Sequence, residues 1–205
     1  MSKVFFAITI SLDGYMAGDN RSPQNPIGDD GTTLHKWLVP QKAFLQMEGK
    51  EGGLDGPDNK LLEEILNRAG AYIMGKRMFD EGEPNWPEDL FKADVCVLTH
   101  QAREPWRQKG STTYYFINEG IESVLEKAKK SAKGMDVQIQ GGANTIQQFL
   151  NAGLVDEFYI HIAPIILGSG IRLLDNINKN IFTVEISEVI PSGFATHTKY
   201  KLTKK

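Results

Sequence analysis

Cysteine is nearly missing from this chain: Cys96 stands alone among 205 residues. That excludes an internal disulfide and a cysteine-cluster metal site, and with them a zinc deaminase, whose ligand set needs a P-C-x-x-C run. Cys96 lies in the apolar run Val95-Cys96-Val97-Leu98, where it reads as a buried structural thiol rather than a nucleophile. No apolar stretch approaches the roughly 20 residues of a membrane-spanning helix, and no signal-peptide pattern precedes the first strand. The expectation is a cytoplasmic protein with no membrane partner. A basic block is also lacking. With a formal net charge of −3, nucleic acid is not an expected partner. Lys127, Lys129, Lys130 and Lys133 cluster only on the polar side of an amphipathic helix.

Several catalytic signatures are absent too. The four histidines (35, 100, 161 and 197) are far apart, and none forms an H-E-x-x-H or paired-ligand spacing, so no metal is expected. There is no G-x-S-x-G elbow, no P-loop and no G-x-G-x-x-G fingerprint, which removes ordinary hydrolase, phosphoryl-transfer and Rossmann readings. His161 and His197 fall inside strand patterns and read as structural.

What is present suits one α/β domain over residues 1–205, with 40% hydrophobic and 24% charged residues. Val4 to Leu12 is almost continuously apolar and β-branched or aromatic, a strand buried on both faces in the middle of a sheet. It runs into the turn Asp13-Gly14-Tyr15-Met16-Ala17-Gly18. Residues 19–57 are rich in proline and glycine yet carry Leu34, Trp37, Leu38, Phe44, Leu45 and Met47, which predicts a packed flap with a partial helix over 33–47, interrupted at Pro40. Asp58 is positioned to cap a helix through Leu61, Leu62, Ile65 and Leu66 that stops at Gly70. Strands are expected at Ala71–Met74, Val95–Thr99 and Thr113–Ile117. Asn118 then caps a helix built on Ile121, Val124, Leu125, Ala128 and Ala132. Alternation at Val137 and Ile139 marks another strand; Ile146, Phe149, Leu150 and Leu154 have helical spacing; Phe158 to Leu167 reads as a deeply buried strand. Two alternating runs, Ile181–Ile190 and Phe194–Thr203, form a hairpin with one packed and one wet face. A mixed, mostly parallel sheet flanked by helices and closed by an antiparallel C-terminal hairpin follows.

Strand ends supply the parts for holding an anion. Gly141-Gly142, between a strand and a helix start, lets a ligand approach free backbone N–H groups, or is simply a tight turn. Gly75-Lys76-Arg77 presents two adjacent cations, suited to a phosphate monoester such as the 2′-phosphate of NADP, or is an exposed basic pair. Leu98-Thr99-His100 closes a third strand with polar groups able to reach a ribose or diphosphate.

Taken together, SLDGYMAG, MGKRMF, VLTH, QGGANTIQQFLNAGLVDE and APIILGSG, in that order, resemble the dihydrofolate-reductase-like superfamily. The resemblance is nearest to the reductase domain of the bifunctional riboflavin-biosynthesis deaminase-reductase, and spans Val4 to about Leu202. It implies a three-layer fold and NADPH lying across the strand ends. Gly75, Lys76, Arg77 and Met78 would face the adenosine phosphate, and Leu98, Thr99 and His100 the adenosine itself. Gly141, Gly142, Ala143, Asn144 and Thr145 would hold the pyrophosphate. Thr9, Met16 and Ala17 would flank the nicotinamide, with Asp13 as the catalytic group near its ring or the substrate. Tyr15, Trp37 and Trp86 could stack on a substrate ring or be packing residues.

The implied activity is NADPH-dependent hydride transfer to a pterin- or ribosylaminopyrimidine-like heterocycle, or to a carbonyl or imine, as in 5-amino-6-(5-phosphoribosylamino)uracil reductase. A true dihydrofolate reductase and a non-catalytic NADPH-binding protein are the alternatives. The chain departs from the dihydrofolate reductase pattern in lacking the hydroxyl of G-R-x-T, since Met78 stands there, and in carrying the 19–57 segment before any acidic helix start. Asp29, Asp30, Glu48, Asp55 and Asp58 are equal candidates for the missing carboxylate. The resemblance also implies a homodimer, joined through sheet-edge or C-terminal elements.

Overall fold

A computed structural model describes residues 2–205. In chain order the elements are β1 (Val4–Ile10), β2 (Tyr15–Ala17), a 3-10 turn (Gly31–His35), α1 (Lys42–Met47), α2 (Pro57–Arg68), β3 (Ala69–Gly75), α3 (Lys76–Gly82) and β4 (Asp94–Leu98). There follow β5 (Trp106–Arg107), β6 (Thr113–Ile117), α4 (Ile121–Ala132), β7 (Asp136–Gly141), α5 (Ala143–Asn151), β8 (Glu157–Ile162), β9 (Ile171–Arg172), β10 (Phe182–Pro191) and β11 (Thr196–Lys204). Nine strands form one sheet in the order β10-β11-β8-β1-β7-β3-β4-β6-β5, and β2 pairs with β9 in a small separate ribbon.

From β8 through β1, β7, β3 and β4 to β6 every pairing is parallel; β11, β10 and β5 are antiparallel additions at the two edges. As its sequence predicts, β1 lies inside the sheet with both faces covered. Phe6 and Ile8 join one core with Val124, Leu125, Ile146 and Phe149 of α4 and α5. Phe5 joins the opposite core with Leu61 and Ile65 of α2 and Phe79 of α3. This is the expected three-layer arrangement.

Several boundaries differ from expectation. Asp58 does not cap α2: Gly56 is the N-cap and Pro57 the first helical residue, where its missing N–H costs nothing. Asp58 instead turns inward and is buried. Gly70 is not a helix stop but part of β3, which takes over directly at Ala69 in extended backbone. Gly120, with φ 97°, rather than Asn118, precedes α4. The buried run after Phe158 ends as a strand at Ile162, beyond which the chain forms the loop that carries Gly168 and Gly170. Partnership, not hydropathy, sets that limit, because β11 stops pairing with β8 at Ile162. The hairpin also lacks a packed face on its outer strand: β10 is exposed along nearly its whole length, including Val184, Ile186 and Val189. The 19–57 segment is packed as expected, with Leu34 and Trp37 buried.

A charge cluster fastens the amino ends of the strands. Arg68, the last residue of α2, donates to Asp136 at 2.6 Å and to Glu157 at 2.7 Å, tying α2 to β7 and β8 beneath β1. Its guanidinium lies 4.0 Å from the centre of the Phe5 ring. Burial alone would raise the Glu157 carboxyl, but hydrogen bonds from Lys3 and Arg68 and the Arg68 charge outweigh it and hold the group at about 2.

Arg68→Ala leaves Glu157 buried beside fewer cations and should cost about 3 kcal/mol in urea unfolding, part of which a second change, Glu157→Gln, should restore. Folding lowers the Glu157 pKa below its unfolded value of about 4.3. Its contribution is therefore complete above that value and is lost as the pH falls towards 2. Urea midpoints should decline over that window in the native protein and less steeply in Glu157→Gln.

Candidate functional site

The parallel strands place their carboxyl ends along one edge, and a cleft of about 770 Å³ runs there. Its floor is made by Gly75 at the end of β3, Leu98 at the end of β4 with Thr99 after it, Asn118 after β6, and Gly142 after β7. One wall is the stretch 170–176, pinned to α5 by the side-chain amide of Gln147, which donates to Leu173 O at 3.1 Å.

Two features suit this edge to an anionic, extended ligand. First, the backbone leaves open space. Gly141 has φ +138° and its peptide to Gly142 is cis, while a methyl group built on Gly142 would meet nothing within 4 Å. Gly142 is the N-cap of α5 and no side chain caps the first turn, so its N–H groups stay available to an acceptor. Second, the backbone elsewhere is crowded: a methyl on Gly75 would collide with Thr145 Oγ1, so only glycine lets β3 and α5 close together here.

The cleft is bordered by the cations Arg21, Lys76, Arg77 and Arg172 against the carboxylates Asp80 and Asp175. Lys76 pairs with Asp80 at 2.5 Å. Arg77 Nε donates to Glu81 at 3.0 Å, and Arg21 Nη2 meets the other oxygen of the same carboxylate. Glu81 is itself buried. Two guanidinium groups thus converge on one carboxylate, leaving excess positive charge beside the cleft. Arg21 belongs to the 19–57 segment, so this contact also fastens that segment to α3.

Of the residues expected to hold a cofactor, Gly75, Lys76, Arg77, Met78, Leu98, Thr99, His100, Gly142, Ala143, Asn144 and Thr145 all line this cleft. Gly141 lies just behind it, close to Met78 Sδ. Thr9, Met16 and Ala17 lie outside its lining, on β1 and the β2–β9 ribbon.

Asp13, expected as the catalytic group, holds the turn after β1 to the loop before β9. Its carboxylate accepts hydrogen bonds from Ser11 Oγ at 2.5 Å, Leu167 N at 3.1 Å and Gly168 N at 2.7 Å. The Ser11 bond above all, joined by the two backbone donors, lowers its pKa to about 2. Asp13 anchors the loop at 165–168. Trp86 packs against Gly82 and lies edge-on to Phe91 at 5.3 Å. Tyr15 lies beneath Arg172, 4.3 Å from its guanidinium, at the cleft wall.

Trp37 stands elsewhere, over a buried polar group of residues that sequence reading treated as structural. Its Nε1 donates to Thr9 Oγ1 at 3.0 Å, and its ring lies 4.7 Å from both His161 and His197. His161 pairs with Thr9 across β1–β8 and with His197 across β8–β11, which brings the two imidazoles side by side. Their Nδ1 atoms are 2.8 Å apart, and His197 Nε2 is 2.7 Å from Asp58 Oδ1. Asp58, His161 and His197 are all buried. Burial, then the nearby His197 and His35, hold the His161 imidazole well below its ordinary range. Nearby, His35 Nδ1 and Gln41 Oε1 are buried with no hydrogen-bond partner among the described residues. Of the five carboxylates that sequence left equal, this arrangement separates Asp58. No spacing rule could have found it, because residues 58, 161 and 197 meet only through the pairing of β8 with β11.

Residues 2–195 match the family model described as RibD C-terminal domain. The protein YyaP of Bacillus subtilis (strain 168), itself uncharacterized, is 30% identical over 151 residues, covering 66% of this chain and 77% of its own. A deaminase/5-amino-6-(5-phosphoribosylamino)uracil reductase from Thermotoga maritima is similar in structure with a TM-score of 0.60 at 11% identity, over 98% of this chain and 56% of its own. A dihydrofolate reductase from Enterococcus faecalis, complexed with NADP(H), has a TM-score of 0.59 at 15% identity, over 98% and 97% of the two chains. The sheet order, the cleft along its carboxyl edge and these likenesses agree: the chain belongs to the RibD C-terminal domain family and carries the dihydrofolate-reductase-like fold.

Proposed function

We propose that this protein is an NADPH-dependent reductase that delivers a hydride to a small planar acceptor, a pterin- or ribosylaminopyrimidine-like heterocycle or another C=N or C=O compound. The observation that carries the reading is the cleft. It joins an open glycine turn at the uncapped start of α5 to a cluster of cations at Lys76 and Arg77. Those are the parts needed to hold a diphosphate at one point and a phosphate monoester at another. The fit is supported by the empty space at Gly142 and by the absence of any side-chain cap on α5.

In this reading Gly142, Ala143, Asn144 and Thr145 bind the diphosphate through backbone N–H groups, and Lys76 and Arg77 bind the 2′-phosphate. Leu98, Thr99 and His100 border the adenosine. The bound cofactor supplies the hydride. The protein's own work is to fix both partners, exclude water and provide a proton. Asp80 and Glu81, which hold Lys76 and Arg77 here, keep those side chains extended along α3 until a phosphate competes for them. The fold likeness to an NADP(H)-bound dihydrofolate reductase supports the same assignment.

A second copy of the chain is the partner best suited to β10, a ten-residue edge strand with Val184, Ile186 and Val189 exposed on it. An exposed edge strand of this length, carrying these apolar side chains beside Glu185 and Glu188, is open to pairing. No helix is long and apolar enough to cross a membrane among the described residues.

Lys76→Ala combined with Arg77→Ala should raise the NADPH dissociation constant about 30-fold, the loss of roughly 2 kcal/mol of charge-assisted bonding, while NADH binding stays within about twofold. An equal change for both cofactors would show that these residues do not read the 2′-phosphate. Following NADPH oxidation against pterins, ribosylaminopyrimidines and simple carbonyls tests the activity; binding without turnover of any of them would favour a non-catalytic nucleotide-binding role. Ile186→Lys should convert a dimer to a monomer in sedimentation velocity, and a native protein that sediments as a monomer would remove the edge-pairing proposal.

A further inference from the structure

The buried chain Asp58–His197–His161 has no role in holding a cofactor, yet it concentrates more chemistry than any other part of the interior. Three ionisable side chains are each no more than 4% exposed and are joined in series by contacts of 2.7 and 2.8 Å. Two imidazole nitrogens 2.8 Å apart share one proton: with none they repel, and with two the hydrogens collide. At the far end His197 Nε2 faces the Asp58 carboxylate, which places that charge beside His197 and one ring away from His161. Outside this series, His161 Nε2 is engaged by no hydrogen bond among the described residues.

Position adds to this. Thr9 and His161 are paired neighbours near the ends of β1 and β8, while the Gly141-Gly142 rim of the cleft ends β7 on the other side of β1. The chain therefore lies one strand away from the cleft, at the same sheet edge. Trp37 covers it, lying on both imidazoles and held by Thr9, with a flat bicyclic ring and one N–H donor. Other ionisable groups near the pair are His35 of the 3-10 turn, which acts on His161, and Tyr159 of β8, whose ring is 6.4 Å from that of His161. Neither supplies a hydrogen bond to the chain.

We infer that Asp58, His197 and His161 form the proton supply of the reductase, with His161 the donor to the acceptor and Trp37 a displaceable cover occupying the place of the acceptor ring. This rests on the reductase reading above. Reduction of a C=N or C=O bond adds a hydride to carbon, from the reduced nicotinamide cofactor, and a proton to the heteroatom, which receives the π electron pair. That proton leaves His161 Nε2, whose N–H electron pair stays on the ring. His161 Nδ1 takes the shared proton from His197 Nδ1, and His197 stays against the Asp58 carboxylate. One proton from solvent restores the starting state. Asp58 and His197 are positioning residues in this scheme, and only His161 touches the acceptor.

The chain can be read without any substrate. In cofactor-free protein labelled with 15N-histidine, NMR should place the proton shared by the two Nδ1 atoms on His197 and show His161 protonated on Nε2. Asp58→Asn should move the shared proton to His161 Nδ1. If Asp58→Asn does not fold, Asp58→Glu should still perturb the His197 signals. A His161 that carries its proton on Nδ1 with Nε2 bare overturns the proposal, because such a ring has nothing to donate. With NADPH and 5-amino-6-(5-phosphoribosylamino)uracil or dihydrofolate, His161→Gln should lower kcat about 100-fold while the NADPH dissociation constant stays within about twofold. Asp58→Asn should shift the pH dependence of kcat, which a purely structural loss would leave in place. Native protein that reduces either acceptor, with His161→Gln within about threefold of it, overturns this assignment alone. Native protein that fails to bind NADPH overturns the reductase reading and this assignment together.

Discussion

Parallel pairing through β1 is the constraint on which the other features depend. A strand buried on both faces must satisfy every backbone group within the sheet, and β1 does so with β7 on one side and β8 on the other. Because both neighbours run parallel to it, and β3, β4 and β6 continue the direction, six strands end along one edge. Every turn that leaves that edge for a helix delivers backbone N–H groups or polar side chains to the same line. The cleft is a consequence of that direction.

The opposite edge is where stability is concentrated. Arg68, Glu157, Asp136 and Lys3 bind the amino ends of β1, β7 and β8 and the end of α2 into one charge cluster. Placing strong, fully paired interactions there leaves the carboxyl edge free to carry polar groups that are not fully paired. Gln41 Oε1 and His35 Nδ1, buried without partners, lie beside Trp37 and the two histidines. Unpaired polar atoms cost free energy in a folded protein, and two of the three found among the described residues lie together here.

The 19–57 segment joins the two halves of the site. At one end Arg21 reaches Glu81, the carboxylate that also orients Arg77; further along, Trp37 covers His161 and His197. One continuous stretch therefore touches both the cation cluster and the histidine pair, so a ligand that displaces either contact acts on the same piece of chain.

Much of the fold was legible from the sequence because hydrophobic pattern and glycine placement are local. The double burial of β1, the β7–α5 unit around Gly141-Gly142, the amphipathic α4 and the terminal hairpin all follow from residues close together in the chain, as do the cleft residues from Gly75 to Met78 and Gly142 to Thr145. Other features depended on distant partners. β8 ends at Ile162 because β11 no longer pairs beyond it, and Asp13 is spent on a loop some 150 residues later, with Leu167 and Gly168 as its donors. Above all, Asp58, His161 and His197 carry no motif, and only the antiparallel docking of β11 on β8 sets the two imidazoles against each other and against the start of α2. Side-chain spacing along a chain records local geometry alone; the meeting of groups more than a hundred residues apart is decided by strand order and register.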